Sequence, residues 1–72
     1  MTHEIPEISR SELIRLINQW IIGSNAERNR KIIKRRLIDG ICFEPLAEEF
    51  GLSVRYIKSV VYKCEDKIFR HI

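Results

Sequence analysis

The stretch from Leu46 to Lys63, LAEEFGLSVRYIKSVVYK, constrains the fold most strongly because one helical pattern ends in it and another begins within three residues. Gly51 stands where the chain must turn with a positive φ, which glycine adopts at the least cost. Leu52 supplies an apolar side chain that can hold the turn against a core, and Ser53 is a preferred helix N-cap. The stretch therefore predicts two helices joined by a tight turn.

Helix signals divide the preceding part of the chain in the same way. SRSE at residues 9–12 and SNAE at residues 24–27 both fit the S-x-x-E capping box, in which the serine oxygen caps the helix and the glutamate reaches back. They predict helices that begin at the serine of each box, and Gly23 and Gly40 are suited to end them. A third helix is predicted roughly from Phe43 to Phe50, with a proline in its first turn.

The last helix meets no glycine or proline between Ser53 and the end of the chain at Ile72. Its apolar residues recur at i, i+3, i+4, i+7 and i+11, the spacing of one helix face. They are Ile57, Val60, Val61, Cys64 and Ile68. We therefore expect an all-α fold, a small four-helix domain over residues 9–72 with a long last helix, after a flexible tail of residues 1–8.

The composition excludes several classes of function. A chain of 72 residues, 44% hydrophobic and 32% charged, is expected to fold but has little room for a deep catalytic cleft. It contains no nucleophile–base arrangement and no glycine-rich phosphate loop, and its two cysteines and two distant histidines lack metal-ligand spacing. No apolar run approaches the ~20 residues that span a bilayer, and the N-terminus has no apolar signal segment. We expect a cytoplasmic protein without enzymatic activity, cofactor, metal or membrane association.

Positive charge is concentrated in one part of the chain, although the net charge is only +3. Six basic residues fall within nine positions: Arg28, Arg30, Lys31, Lys34, Arg35 and Arg36. Like charges at i,i+3 and i,i+4 repel on a helix, so the run favours an anionic partner. We expect Arg30, Lys34 and Arg35 to contact phosphates, against the alternative that the run is an ordinary solvated face.

The turn region has the physical signature of a helix-turn-helix. Ala47 is small enough for a close helix crossing, Gly51 makes the turn, and Ile57 fills the crossing point. The motif predicts sequence-specific binding of double-stranded DNA in transcription regulation, with Val54–Lys63 as the recognition helix in the major groove. The expected DNA-binding residues of this region are Ser53, Val54, Arg55, Tyr56, Lys58, Ser59 and Tyr62.

Individual roles follow from side-chain chemistry. Arg55 is suited to a bidentate contact with guanine, and Lys58 to a guanine or a phosphate. Ser53 and the free N–H groups of the helix N-terminus can bind a phosphate. Tyr56 and Tyr62 can bond phosphates or press on a thymine methyl group.

The first helix presents a broad apolar face. The simpler interpretation is that this face belongs only to the core. The alternative is that Leu16 and Trp20 also contact a partner. That partner would be a larger protein or a second copy. A homodimer would gain affinity because one helix-turn-helix reads only a few base pairs.

From about Ala26 to His71 the chain resembles region four of bacterial sigma factors. The resemblance lies in LAEEFGLSVRYIKSV at residues 46–60, in Lys63, and in the basic and apolar segment KIFRH at residues 67–71. In that family the segment recognises the promoter −35 element. The resemblance implies phosphate contacts from basic residues of the preceding helices, a surface for the RNA polymerase flap, and base contacts from Val54, Arg55, Tyr56, Lys58 and Ser59. Nothing in the chain corresponds to the promoter-melting regions of a sigma factor. The resemblance therefore implies a region-four-like regulator of a bacterium, phage or mobile element, or one half of a split sigma factor.

Two alternatives stay open. The effector domains of response regulators share a similar four-helix arrangement and dimerise through an added helix. A sigma-like fold could also serve as a protein-interaction module that docks on RNA polymerase or another sigma factor without touching DNA.

Overall fold

The computed structural model describes residues 8–71, which form four α-helices. The helices are α1 (Arg10–Trp20), α2 (Ala26–Leu37), α3 (Phe43–Phe50) and α4 (Val54–Phe69). The predicted all-α, four-helix fold is confirmed, and α4, with 16 residues, is the long last helix. The predicted tail of residues 1–8 lies outside the described residues except for Ile8, which packs against the core. Of the four helices in residues 8–71, none has both the length and the apolar character to cross a membrane.

Two of the predicted N-caps are present. The Ser9 hydroxyl oxygen accepts a hydrogen bond from the backbone N–H of Glu12 at 3.1 Å. The Ser53 hydroxyl oxygen accepts one from the N–H of Tyr56 at 3.1 Å. The carboxylate of Glu12 pairs with Arg15 instead of reaching back, so the cap of α1 is one half of a capping box.

The predicted N-cap of α2, Ser24, is wrong by one residue. The N-cap of α2 is Asn25, whose side chain makes no capping hydrogen bond. Gly23, at φ +114°, turns the chain out of α1, and its carbonyl accepts the N–H of Ala26 at 3.2 Å. Ser24 and Asn25 are used by this turn, so the backbone becomes helical only at Ala26.

α2 is the central helix, since it packs against α1, α3 and α4. Its consecutive residues Ile32 and Ile33 are both fully buried, as are Ile17, Leu46 and Ile57 from the three helices around it. Burial of an aliphatic side chain of this size contributes about 1.5–3 kcal/mol. The predicted apolar stripe of α4 is confirmed: all five of its residues lie in the core.

The turn between α3 and α4 has the geometry that its sequence predicts. Gly51 adopts a left-handed conformation, φ +65° and ψ +32°, and its N–H donates to the carbonyls of Ala47 and Glu48. The N–H of Leu52 donates to the Ala47 carbonyl at 2.9 Å, while the Leu52 side chain packs against the core. These bonds satisfy carbonyls that the end of α3 would otherwise leave unpaired.

The turn yields a stability prediction. A Cβ at Gly51 would meet no atom within 4 Å, so Gly51→Ala should lower the free energy of unfolding only through backbone strain. We expect a loss of about 1–2 kcal/mol in urea denaturation followed by circular dichroism. Gly51→Asn is the matched control and should lose less, because asparagine tolerates the left-handed region better. Equal losses for both variants would contradict a purely conformational role for the glycine.

Candidate nucleic-acid interface

The outward side of α4 carries a ridge formed by Arg55, Ser59 and Tyr62. At 100° per residue these side chains lie opposite the buried stripe, and all three are exposed. Arg55 makes no hydrogen bond or ion pair with any residue between 8 and 71. Tyr62 is 57% exposed, which is high for an aromatic side chain. The ridge therefore offers a guanidinium and two hydroxyl groups to an external ligand.

One flank of the ridge is a group that we call the Phe43 cluster: Arg36, Phe43, Lys58 and Tyr62. The Arg36 guanidinium carbon lies 4.2 Å from the centroid of the Phe43 ring, and the Lys58 ammonium lies 5.6 Å from it. The Tyr62 ring meets Phe43 edge-on, with centroids 6.1 Å apart. Both cations are within the ~6 Å range of a cation–π interaction. The aromatic ring thus holds two positive charges at one side of α4.

The other flank is a cleft between α4 and the start of α2, with a cavity of about 220 Å³. The Arg28 guanidinium crosses it: Nη2 donates to the Tyr56 hydroxyl at 2.9 Å, and the guanidinium carbon lies 5.3 Å from the Tyr56 ring centroid. Lys63 and Lys67 line the same cleft from α4. Basic side chains therefore lie on both sides of the ridge.

Two predicted DNA-binding residues at the start of α4 have structural roles within the domain. Ser53 is exposed, but its hydroxyl oxygen accepts the capping bond from Tyr56. Val54 is half-buried and packs against the core. The residues of the predicted set that reach outward are Arg55, Tyr56, Lys58, Ser59 and Tyr62.

The structure gives Arg30, a predicted phosphate contact, a different role. Its Nε donates to the Ile21 carbonyl at 2.7 Å and its Nη2 to the Asn18 carbonyl at 3.0 Å. These carbonyls belong to the C-terminal end of α1, where acceptors lack an intrahelical donor. Arg30 therefore caps α1 with its guanidinium, and its phosphate contact stays a prediction.

Arg35 is also paired within the molecule. Its guanidinium bonds Glu49 of α3 at 2.8 Å and Asp39 at 3.0 Å. The hydrogen bonds to these carboxylates raise the pKa of Arg35 above its usual value. The pair links α2 to α3, so Arg35 reaches an external phosphate only by giving up internal partners.

Lys34 differs from its two neighbours in the predicted set. It lines a shallow hollow with Arg35, Glu49 and Phe50, and it makes no hydrogen bond or ion pair in the described part of the chain. The basic run of α2 was expected to need an external anion because its charges repel. Internal carbonyls, carboxylates and aromatic rings instead offset much of that repulsion.

The predicted partner face on α1 is less exposed than expected. Leu16 is 3% exposed and belongs to the core, so it cannot contact a partner in this fold. Trp20 is half-buried, and its indole stacks on the His71 imidazole with ring centroids 3.5 Å apart and planes 4° from parallel. The exposed apolar residue of this region is Ile22, at 65%.

Five residues of the flanks were absent from the predicted site: Arg28, Arg36, Phe43, Lys63 and Lys67. A signal for the two lysines was present in the sequence, since Tyr56, Lys63 and Lys67 recur at i, i+7 and i+11 on one side of α4. The other three join the site through contacts between helices, which helical periodicity does not report.

The chain was compared with protein-family models, curated proteins and solved structures. None of them matches. The resemblance to sigma region four stays a prediction. Within residues 8–71, no three His, Cys, Asp or Glu side chains are placed together to hold a metal ion.

The capping role of Arg30 can be tested by stability measurements. Arg30→Gln should lower the free energy of unfolding by about 1–2 kcal/mol, because two charge-assisted bonds to otherwise unpaired carbonyls are lost. Lys34→Gln removes the same charge one turn away and should change it by less than about 0.5 kcal/mol. Urea denaturation of both variants at equal ionic strength provides the measurement. Two equal, small effects would mean that the Arg30 bonds contribute nothing to stability.

Proposed function

We propose that the protein binds double-stranded DNA in a sequence-specific manner, with α3, the turn at residues 51–53 and α4 acting as a helix-turn-helix. The observation that carries the proposal is the ridge with its unpaired Arg55 between two basic flanks. The major groove, ~12 Å wide, admits an α-helix and has a phosphate backbone on each side. A helix with a polar ridge and cations on both flanks has the charge pattern that such a groove requires.

The ridge is assigned to base contacts. Arg55 is the candidate for a bidentate contact with the N7 and O6 acceptors of guanine, the commonest specific pairing in the major groove. Ser59, one turn along, can donate to or accept from a base edge. Tyr62 reaches either a thymine methyl group or the backbone, depending on the depth of the helix in the groove.

The flanks are assigned to phosphate contacts, which position the helix without reading sequence. In the Phe43 cluster, Arg36 and Lys58 lie over the aromatic ring at the start of α3. Arg36 also donates from Nη1 to the Ile41 carbonyl at 3.0 Å, so Lys58 is the more available cation of this flank. This assignment moves the expected phosphate contacts from the middle of α2 to the two sides of α4, because Arg30 and Arg35 are engaged elsewhere.

The biological role that we propose is transcription regulation in the cytoplasm by a sigma-region-four-like protein, with RNA polymerase as a candidate partner. Its support is the order of the helices, the tight turn and the resemblance in residues 46–60. The alternative of a docking module without DNA contact is weakened, since Leu16 is buried and Trp20 is partly covered by His71. A homodimer that pairs two half-sites is compatible with the ridge on α4.

The proposal predicts how binding responds to salt and to one substitution. After in-vitro selection of a preferred duplex, Arg55→Ala should weaken its binding by about 1–3 kcal/mol and relax the preference at one base position. On mixed-sequence DNA the variant should lose much less, because bases are not read there. Fluorescence anisotropy across a salt series measures both, and log K should fall linearly with log salt.

Arg10→Ala is the matched control, since Arg10 is exposed at the first turn of α1 and loses the same single charge. We expect it to leave the preference for the selected duplex unchanged. Salt-independent binding, or no duplex bound at low salt, would refute DNA binding. Equal effects of Arg55→Ala and Arg10→Ala on the selected duplex would refute the assignment of Arg55 to base reading.

A further inference from the structure

The cleft beside α4 is a partly enclosed hollow lined by residues of α4, α2 and the α1–α2 turn. Its volume of about 220 Å³ is somewhat smaller than the ~300–1,000 Å³ of a drug-sized ligand pocket, so a ligand of nucleotide size would fill it and project from its mouth. One wall is α4 and the other is the α1–α2 turn with the first residues of α2. The lining polar residues are Asn25, Arg28, Asn29, Tyr56, Ser59, Lys63 and Lys67.

The charge of the cleft is of one sign. Arg28, Lys63 and Lys67 line it, and no carboxylate does. Lys63 and Lys67 lie one turn apart on α4 and make no ion pair within residues 8–71. An anion in the cleft would relieve the repulsion among these three cations.

Arg28 is already held in position for an anion. Its Nη2 is bonded to the Tyr56 hydroxyl, and its Nε and Nη2 to the Asn29 side-chain oxygen, at 2.9–3.3 Å. Its Nη1 makes no hydrogen bond within the described residues. A guanidinium fixed in this way loses less freedom when it binds a phosphate.

The floor of the cleft is apolar, formed by Ile21, Val60 and Cys64. Burial raises the pKa of the Cys64 thiol above its usual value, and the nearby Lys67 only partly offsets this effect. The floor therefore carries no negative charge at neutral pH. A ligand that suits the whole cleft has an anionic group and a less polar part beside it.

We propose that the cleft binds an organic phosphate of about nucleotide size, with its phosphate among Arg28, Lys63 and Lys67. A phosphate monoester carries a charge of about −1.5 to −2 at pH 7, which matches three cations better than a carboxylate does. The sugar or ring of the ligand lies over Ile21 and Val60. The phosphate belongs either to a free nucleotide or to a nucleotide of a DNA strand that passes α4. The second source rests on the proposed function, and the first does not.

The test uses the full chain labelled with ¹⁵N and titrated with AMP, inorganic phosphate and uncharged adenosine. AMP should shift the backbone amides of Asn25, Ser59 and Lys63 in saturable fashion, phosphate should shift the same amides more weakly, and adenosine should not. The double variant Lys63→Ala/Lys67→Ala should raise the Kd for AMP roughly tenfold or more, because two charge-assisted bonds are removed.

Arg10→Ala/Lys31→Ala is the matched control, since it removes two charges from residues that do not line the cleft. It should change the Kd for AMP by less than about twofold. Lys67→Gln, a single exposed substitution, provides a second test of the cleft with an intermediate effect. Circular dichroism of every variant checks the fold.

Duplex DNA distinguishes the two sources. If the phosphate belongs to DNA, the cleft variant should reduce the slope of log K against log salt by about 1–2 relative to the control. If it belongs to a free nucleotide, the two double variants should bind DNA alike while only the cleft variant loses AMP, and the assignment of this flank to DNA phosphates would then be wrong.

Failure of the cleft and failure of the proposed function give different results. Absence of AMP-dependent shifts at the cleft, together with equal DNA binding by the two double variants, would overturn the phosphate site. AMP binding by a protein that binds no duplex would support the cleft with a free nucleotide and refute the DNA-binding function.

Discussion

The packing of α4 against α2 is the contact on which the other parts of the structure depend. α2 buries two consecutive isoleucines, Ile32 and Ile33, and a helix can bury neighbouring positions only when it is covered from more than one side. α1, α3 and α4 provide that cover. α2 thereby becomes the centre of the domain, although it is the most highly charged of the four helices by sequence.

A central helix with six basic residues has to place them among its neighbours, and this decides where the free positive charge of the molecule lies. Arg30 turns to the carbonyl end of α1, and Arg35 turns to the carboxylate of Glu49 on α3. Arg28 and Arg36 lie over aromatic rings, one on each side of α4. Arg28 and Arg36 of α2 thus place positive charge on the two sides of α4. The proposed DNA surface therefore surrounds α4 and does not run along α2.

The ridge and the cleft share a boundary, because Tyr56 and Ser59 line the cleft while Ser59 also belongs to the ridge. A ligand in the cleft would therefore lie within one helical turn of the proposed base-reading residue Arg55. If both proposals hold, DNA and a free nucleotide compete for the same side of α4. If the cleft instead binds a nucleotide of the DNA itself, that contact fixes the register of α4 in the groove.

Elements that depend on local rules could be predicted from the residues alone: the four helices, the N-caps at Ser9 and Ser53, the left-handed turn at Gly51 and the buried stripe of α4. Such features follow from residues within about one or two helical turns of each other. The start of α2 shows the limit of these rules. Its sequence fits a capping box at residues 24–27, but the turn that follows Gly23 includes Ser24 and Asn25, and the box does not form. The packing of the helices determines that Arg30 caps α1, that Arg35 pairs with Glu49 and that Arg28 reaches Tyr56. These contacts join residues 12, 14 and 28 positions apart, and their distances are set by helix packing, which no local pattern encodes.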